Sequence, residues 1–126
     1  MKRILVLIAA GLIMNAAQAQ DDPADLEVVL PDQAQKCVLP ASPDAIPEDA
    51  TLDQLKEAKG QVEQFQEKVI GYRDCLNEAD ADPELTVGNK QAIVNSYNYS
   101  VEMEERVATR FNEAVRDYKE RKAAEG

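Results

Sequence analysis

The chain has 126 residues, 24 acidic against 14 basic for a formal net charge of −10, two cysteines and no histidine. That length holds one domain with a modest core, and so acidic a surface repels nucleic-acid phosphates and anionic membranes. The lack of histidine removes the commonest general base and the commonest metal ligand together.

At the N-terminus Met1, Lys2 and Arg3 precede an apolar run from Ile4 to Met14, then Ala17-Gln18-Ala19. Positive charge, a short apolar stretch and a small-x-small site predict a signal peptide over 1–19, cleaved after Ala19. The run is shorter than the ~20 apolar residues of a transmembrane helix. No cysteine follows it closely, which argues against a lipid anchor. With no further span, the expected location is the periplasm or the secreted fraction. Losing Lys2 and Arg3 takes the net charge from −10 to −12.

Residues 20–36 read as a flexible acidic segment, with Gln20 to Gln35 poorly ordered. Residues 37–50 read as an extended Pro-rich segment. Pro23, Pro31, Pro40, Pro43 and Pro47 exclude a continuous helix, and the stretch from Cys37 to Asp49 suits polyproline-like geometry.

The pattern changes at Thr51, where Thr51 and Gln54 make a T-x-x-Q capping box. Leu55, Val62, Val69 and Leu76 then recur every seven residues, with Ala58, Phe65, Tyr72 and Ala79 three positions later. This is the stripe of a helix packed lengthwise on another helix. It predicts a first long helix over about 51–80. Asp82-Pro83 is a helix-start signal, predicting a second helix over about 84–122, with Gly88 clouding its start. Its stripe carries Val94, Val101, Ala108 and Val115, then Tyr97, Glu104, Phe111 and Tyr118, widened by Ile93, Val107 and Ala114. Arg116, Lys119, Arg121 and Lys122 suit the negative end of the helix dipole. Residues 123–126 are a tail.

A short connection makes the two helices antiparallel neighbours. The fold class is therefore all-α: a long helical hairpin over 51–122. Its core is Leu55, Val62, Phe65, Val69, Tyr72 and Leu76 against Val94, Tyr97, Val101, Ala108, Phe111 and Val115. A hairpin alone leaves wide stripes in water, so either the Pro-rich segment or a second copy must cover them.

Reach favours the Pro-rich segment as a local cover. Cys75 lies about 36 Å along the first helix at 1.5 Å per residue, and an extended chain from Cys37 to Ala50 spans about 40 Å. The segment can start beside Cys75 and run back to Thr51, with Val38, Leu39 and Ile46 in the groove. In an oxidising compartment the cysteine pair then reads as a Cys37–Cys75 disulfide. The alternatives are free thiols or a bridge between chains. Residues 106–122 carry a surplus of basic side chains, and Asp44, Glu48 and Asp49 would arrive beside its end.

Cys37-Val38-Leu39-Pro40, Tyr72-Arg73-Asp74-Cys75-Leu76, and the run from Tyr97-Asn98 through Phe111-Asn112 to Val115-Arg116-Asp117-Tyr118 together resemble a group of uncharacterised small exported helical-hairpin proteins of Gram-negative bacteria. The resemblance covers roughly residues 37–119. It implies a small helical envelope protein and adds no catalytic residue.

Few side chains invite chemistry. Asp80, Asp82 and Glu84 alternate as in a calcium loop, but Leu85 replaces its glycine and Gln91 its bidentate glutamate. A solvated turn is the better reading, and no metal or cofactor is expected. Glu104 lies on an apolar stripe, either as a buried site carboxylate or as a margin residue with its head in water; no second acid or base accompanies it. Tyr72, Tyr97 and Tyr118 fall on core stripes and suit packing better than an aromatic pocket; Tyr99 does not. Asn98-Tyr99-Ser100 matches a glycosylation sequon by chance. No catalytic set emerges, and the chain is not expected to be an enzyme. The first expectation is a non-enzymatic periplasmic or envelope protein acting through helix-mediated protein contacts, with a homodimer or an envelope protein as partner. The alternative is a periplasmic binding module holding a small cationic or apolar ligand between the helices.

Overall fold

The structure, a computed structural model, describes residues 22–126. The predicted signal over 1–19 lies outside the described residues. Those described are all-helical, with two short helices, α1 (Pro23–Leu26) and α2 (Asp32–Gln35), and two long ones, α3 (Leu52–Asp80) and α4 (Val87–Glu125). The long helices pack on each other as an antiparallel hairpin. No described helix is long and apolar enough to cross a membrane.

Helix α3 starts at the T-x-x-Q box. The Gln54 amide donates to Thr51 Oγ1 at 3.2 Å and the Thr51 amide to Gln54 Oε1 at 2.9 Å. Leu55, Val62, Phe65, Val69, Tyr72, Leu76 and Ala79 are all buried along one side.

Helix α4 begins later than Asp82-Pro83 suggests. The Glu84 amide bonds Asp82 Oδ1 at 2.9 Å and the Leu85 amide the Asp82 carbonyl at 3.4 Å, closing a turn instead of opening a helix. That turn lets Leu85 pack on the core. The cap is Thr86, whose side chain and that of Asn89 satisfy each other's backbone amides at 3.0 and 3.1 Å. At its other end α4 continues through Glu125, so residues 123–125 of the expected tail are helical.

The core of α4 is rotated from the expected stripe by about one residue, or 100°. Ile93, Ser100, Met103 and Val107 are buried, whereas Val94 is 48% exposed. Val101, Ala108 and Val115 are half-buried at the margin, as are Tyr97 and Phe111, which pack against the two core clusters. One cluster gathers Ala34, Tyr72, Leu76, Ala79 and Ile93 near the turn; the other gathers Val62, Phe65, Val69, Met103 and Val107 further down.

Residues 22–36 contain α1 and α2 and touch the hairpin. Ala34 of α2 is 1% exposed in the upper cluster. Asn89 Nδ2 donates to the Val29 carbonyl at 2.8 Å, and Gln33 to the Asp82 carboxylate. Gly88 explains itself here: a Cβ would lie 1.8 Å from the Glu27 carbonyl oxygen, so only glycine admits that backbone.

Candidate functional site

Three features could carry function: a polar seam between the helices, a groove beneath residues 43–48, and an apolar row on α4.

In the seam, Arg73 of α3 donates through Nε to Ser100 Oγ at 2.9 Å and through Nη2 to Glu104 Oε2 at 2.6 Å. Ser100 Oγ donates in turn to the Tyr97 carbonyl at 2.6 Å, and the guanidinium carbon sits 5.7 Å from the Tyr97 ring centroid. Side-chain exposure is 16% for Arg73 and 27% for Glu104. Glu104 therefore has a charged companion that its own stripe does not reveal. Among the described residues no buried side-chain polar atom lacks a partner, and these cross-helix bonds make the seam a register clamp between the helices. Removing one member strands a half-buried charge. Arg73→Ala is expected to destabilise by about 1–3 kcal/mol, with a coupling to Glu104→Ala that a double-mutant cycle in urea measures.

Cys37 and Cys75 are brought together as a disulfide pair, Cα atoms 5.6 Å apart. Beyond Cys37, Leu39 packs against both core clusters, Pro40 is buried and Ala50 is 3% exposed. Val38, expected in the groove, is 79% exposed. Consecutive residues of an extended chain point to opposite sides, so Leu39 facing in turns Val38 out. Arg121 holds the far end by its guanidinium, donating to the backbone carbonyls of Glu48 and, at 2.7 Å, Ala50. Among the described residues the carboxylates of Asp44, Glu48 and Asp49 make no ion pair with the basic end of α4; the backbone is gripped instead.

Between these anchored ends the chain stands off the helices. A groove of about 470 Å³ opens there, lined by Ile46, Ala58, Val62, Val107 and Ala114. Asp44, Glu48, Arg110, Glu113 and Asp117 also line it and are exposed. The Asp44 amide bonds Gln61 Oε1 at 3.3 Å.

The row on α4 consists of Val87, Val94, Val101, Ala108 and Val115, spaced seven residues apart. Val87 is 65% exposed and Val94 48%. At 100° per residue, Val101, Ala108 and Val115 lie on the side of α4 away from Arg110, Glu113 and Asp117 of the groove.

The remaining candidate side chains are spent locally. Asp80 pairs with Lys90 at 3.5 Å, and Asp82 accepts from Gln33 and from the Glu84 amide. Among the described residues no group of three or more His, Cys, Asp or Glu side chains could hold a metal ion. Tyr72 is buried, Tyr97 and Tyr118 are half-buried, and Tyr99 is exposed beneath Arg106. No protein-family model, curated protein or solved structure matches the chain.

Proposed function

We propose that this chain is exported, processed after Ala19, and works in the periplasm or envelope as a non-enzymatic protein acting through helix-mediated protein contacts. The observation that carries the reading is the apolar row Val87, Val94, Val101, Ala108 and Val115 along α4, exposed at Val87 and Val94 and only half-covered by the hairpin at Val101, Ala108 and Val115. A seven-residue apolar row is what a further helix packs against. Exposed apolar surface of this kind marks an interaction site more often than it serves the monomer. Residues 37–50, in this reading, form an extended cover fastened over the other side of the hairpin by the Cys37–Cys75 bridge in an oxidising compartment. The resemblance to exported hairpin proteins points the same way.

The first partner to test is a second copy. Sedimentation equilibrium of the mature, oxidised chain is expected to show a concentration-dependent dimer. Val101→Glu should weaken it about tenfold or more, equivalent to about 1.4 kcal/mol, with the far-UV spectrum unchanged. A chain that stays monomeric at every concentration, and forms no cross-link through Val94→Cys to any envelope protein, contradicts the reading.

A further inference from the structure

We propose that the groove beneath residues 43–48 binds an amphipathic cation: an organic ammonium carrying an apolar body. The site lies on the other side of α4 from the row used for protein contacts, so it is independent of that reading.

The groove is enclosed by three pieces of chain. Ala58 and Val62 come from α3, Val107 and Ala114 from α4, and Ile46 from the extended segment, giving apolar walls. Two of these residues, Ala58 and Ala114, are small, and their size keeps the helices from filling the space. Segment 43–48 cannot settle into it, because Leu39 and Pro40 at one end and Ala50 at the other are already fixed. The volume of about 470 Å³ falls within the range of small-molecule sites, about 300–1,000 Å³.

Charge selects the ligand. Four carboxylates line the groove, Asp44, Glu48, Glu113 and Asp117, against one cation, Arg110. Arg116 pairs with Asp117 at 3.8 Å and offsets that carboxylate, while Arg121 keeps its charge because its partners, the backbone carbonyls of Glu48 and Ala50, are neutral. The surplus at the groove is therefore a small negative one, carried by Asp44, Glu48 and Glu113. A ligand in the groove sits within a screening length, about 8 Å at physiological salt, of the rim carboxylates. An ammonium is attracted by their sum and a carboxylate repelled. The apolar walls require that the cation carry hydrocarbon, since a bare ion gains nothing from them.

Titration of the mature, oxidised protein with octylammonium, octanoate and putrescine, followed by amide NMR, tests this. Octylammonium should saturate and shift the amides of Ile46, Ala58, Val107 and Ala114. Octanoate and putrescine should each bind at least about tenfold more weakly. Asp44→Asn combined with Glu113→Gln and Asp117→Asn should weaken octylammonium about tenfold and erase its advantage over octanoate. Ala114→Phe, which fills the groove, should abolish binding; if that variant fails to fold, the charge variant alone decides. Equal binding of octanoate, shifts centred on Val94 and Val101, or full affinity in the charge variant would overturn the proposal.

Discussion

Cys37→Ala combined with Cys75→Ala is expected to lower the free energy of unfolding by about 4 kcal/mol, the loop-entropy value for a closed loop of about 39 residues. For a domain of ordinary stability, about 5–15 kcal/mol, that is a large share. The bridge joins the start of the extended segment to the last third of α3, 38 positions away in sequence. Without it, Leu39 must hold the segment by packing alone, helped at the far end by Arg121. The hairpin itself packs α3 on α4 independently of the bridge, so helix content should survive. Urea unfolding of the oxidised protein and the double variant, followed by far-UV dichroism, measures the difference. A loss below 1 kcal/mol would mean that the segment is held by other contacts or not held at all.

Phe65→Ala should cost about 3–5 kcal/mol, as expected for emptying a fully buried aromatic position. Phe65 is 3% exposed. Its cluster draws Val62 and Val69 from α3 and Met103 and Val107 from α4, with Leu39 and Phe111 packed against it. The gap closes only partly, because the surrounding side chains of α3 and α4 are already packed against one another. The effect should appear as a lower urea midpoint with a similar slope, since the same surface is exposed on unfolding. A cost under 1 kcal/mol would place the ring in water and misassign the seam between the helices.

Much of the hairpin was legible because α3 follows a clean seven-residue stripe. Its capping box, Thr51 with Gln54, marks the start without ambiguity. The stripe of α4 was legible in kind but not in rotation. Its true central row runs through Ile93, Ser100, Val107 and Ala114, and the serine disguises it. Ser100 is buried at 0% exposure because Arg73 and the Tyr97 carbonyl satisfy its hydroxyl, a compensation that only the packed structure supplies. The neighbouring row through Val94 and Val101 is wholly apolar, and so it outweighed the real one on composition.

The pairing of Arg73 with Glu104 was out of reach for a related reason. Cross-helix partners depend on register, and register depends on the turn. Starting the second helix at Glu84 sets Arg73 beside about Gln91, several turns short of Glu104 at about 3.6 residues per turn. The Thr86–Asn89 box is a second T-x-x-polar signal, but a start at Val87 moves that partner only to about Val94; the remaining distance to Ser100 and Glu104 is covered by the length of the Arg73 side chain. Asp82-Pro83 outranked the box because proline at a first helical position is the louder cue. The contacts of Ala34 and Gly88 were hidden too, since both matter through neighbours brought from across the chain, not through local pattern.

The most direct measurement is mass spectrometry of the protein recovered from the periplasmic fraction, intact and as non-reduced peptides. The intact chain should begin at Gln20, and one peptide pair should join Cys37 to Cys75 within a monomer. A chain that retains Met1 would contradict processing after Ala19, and free thiols at both positions or a covalent dimer lost on reduction would contradict the fastened cover.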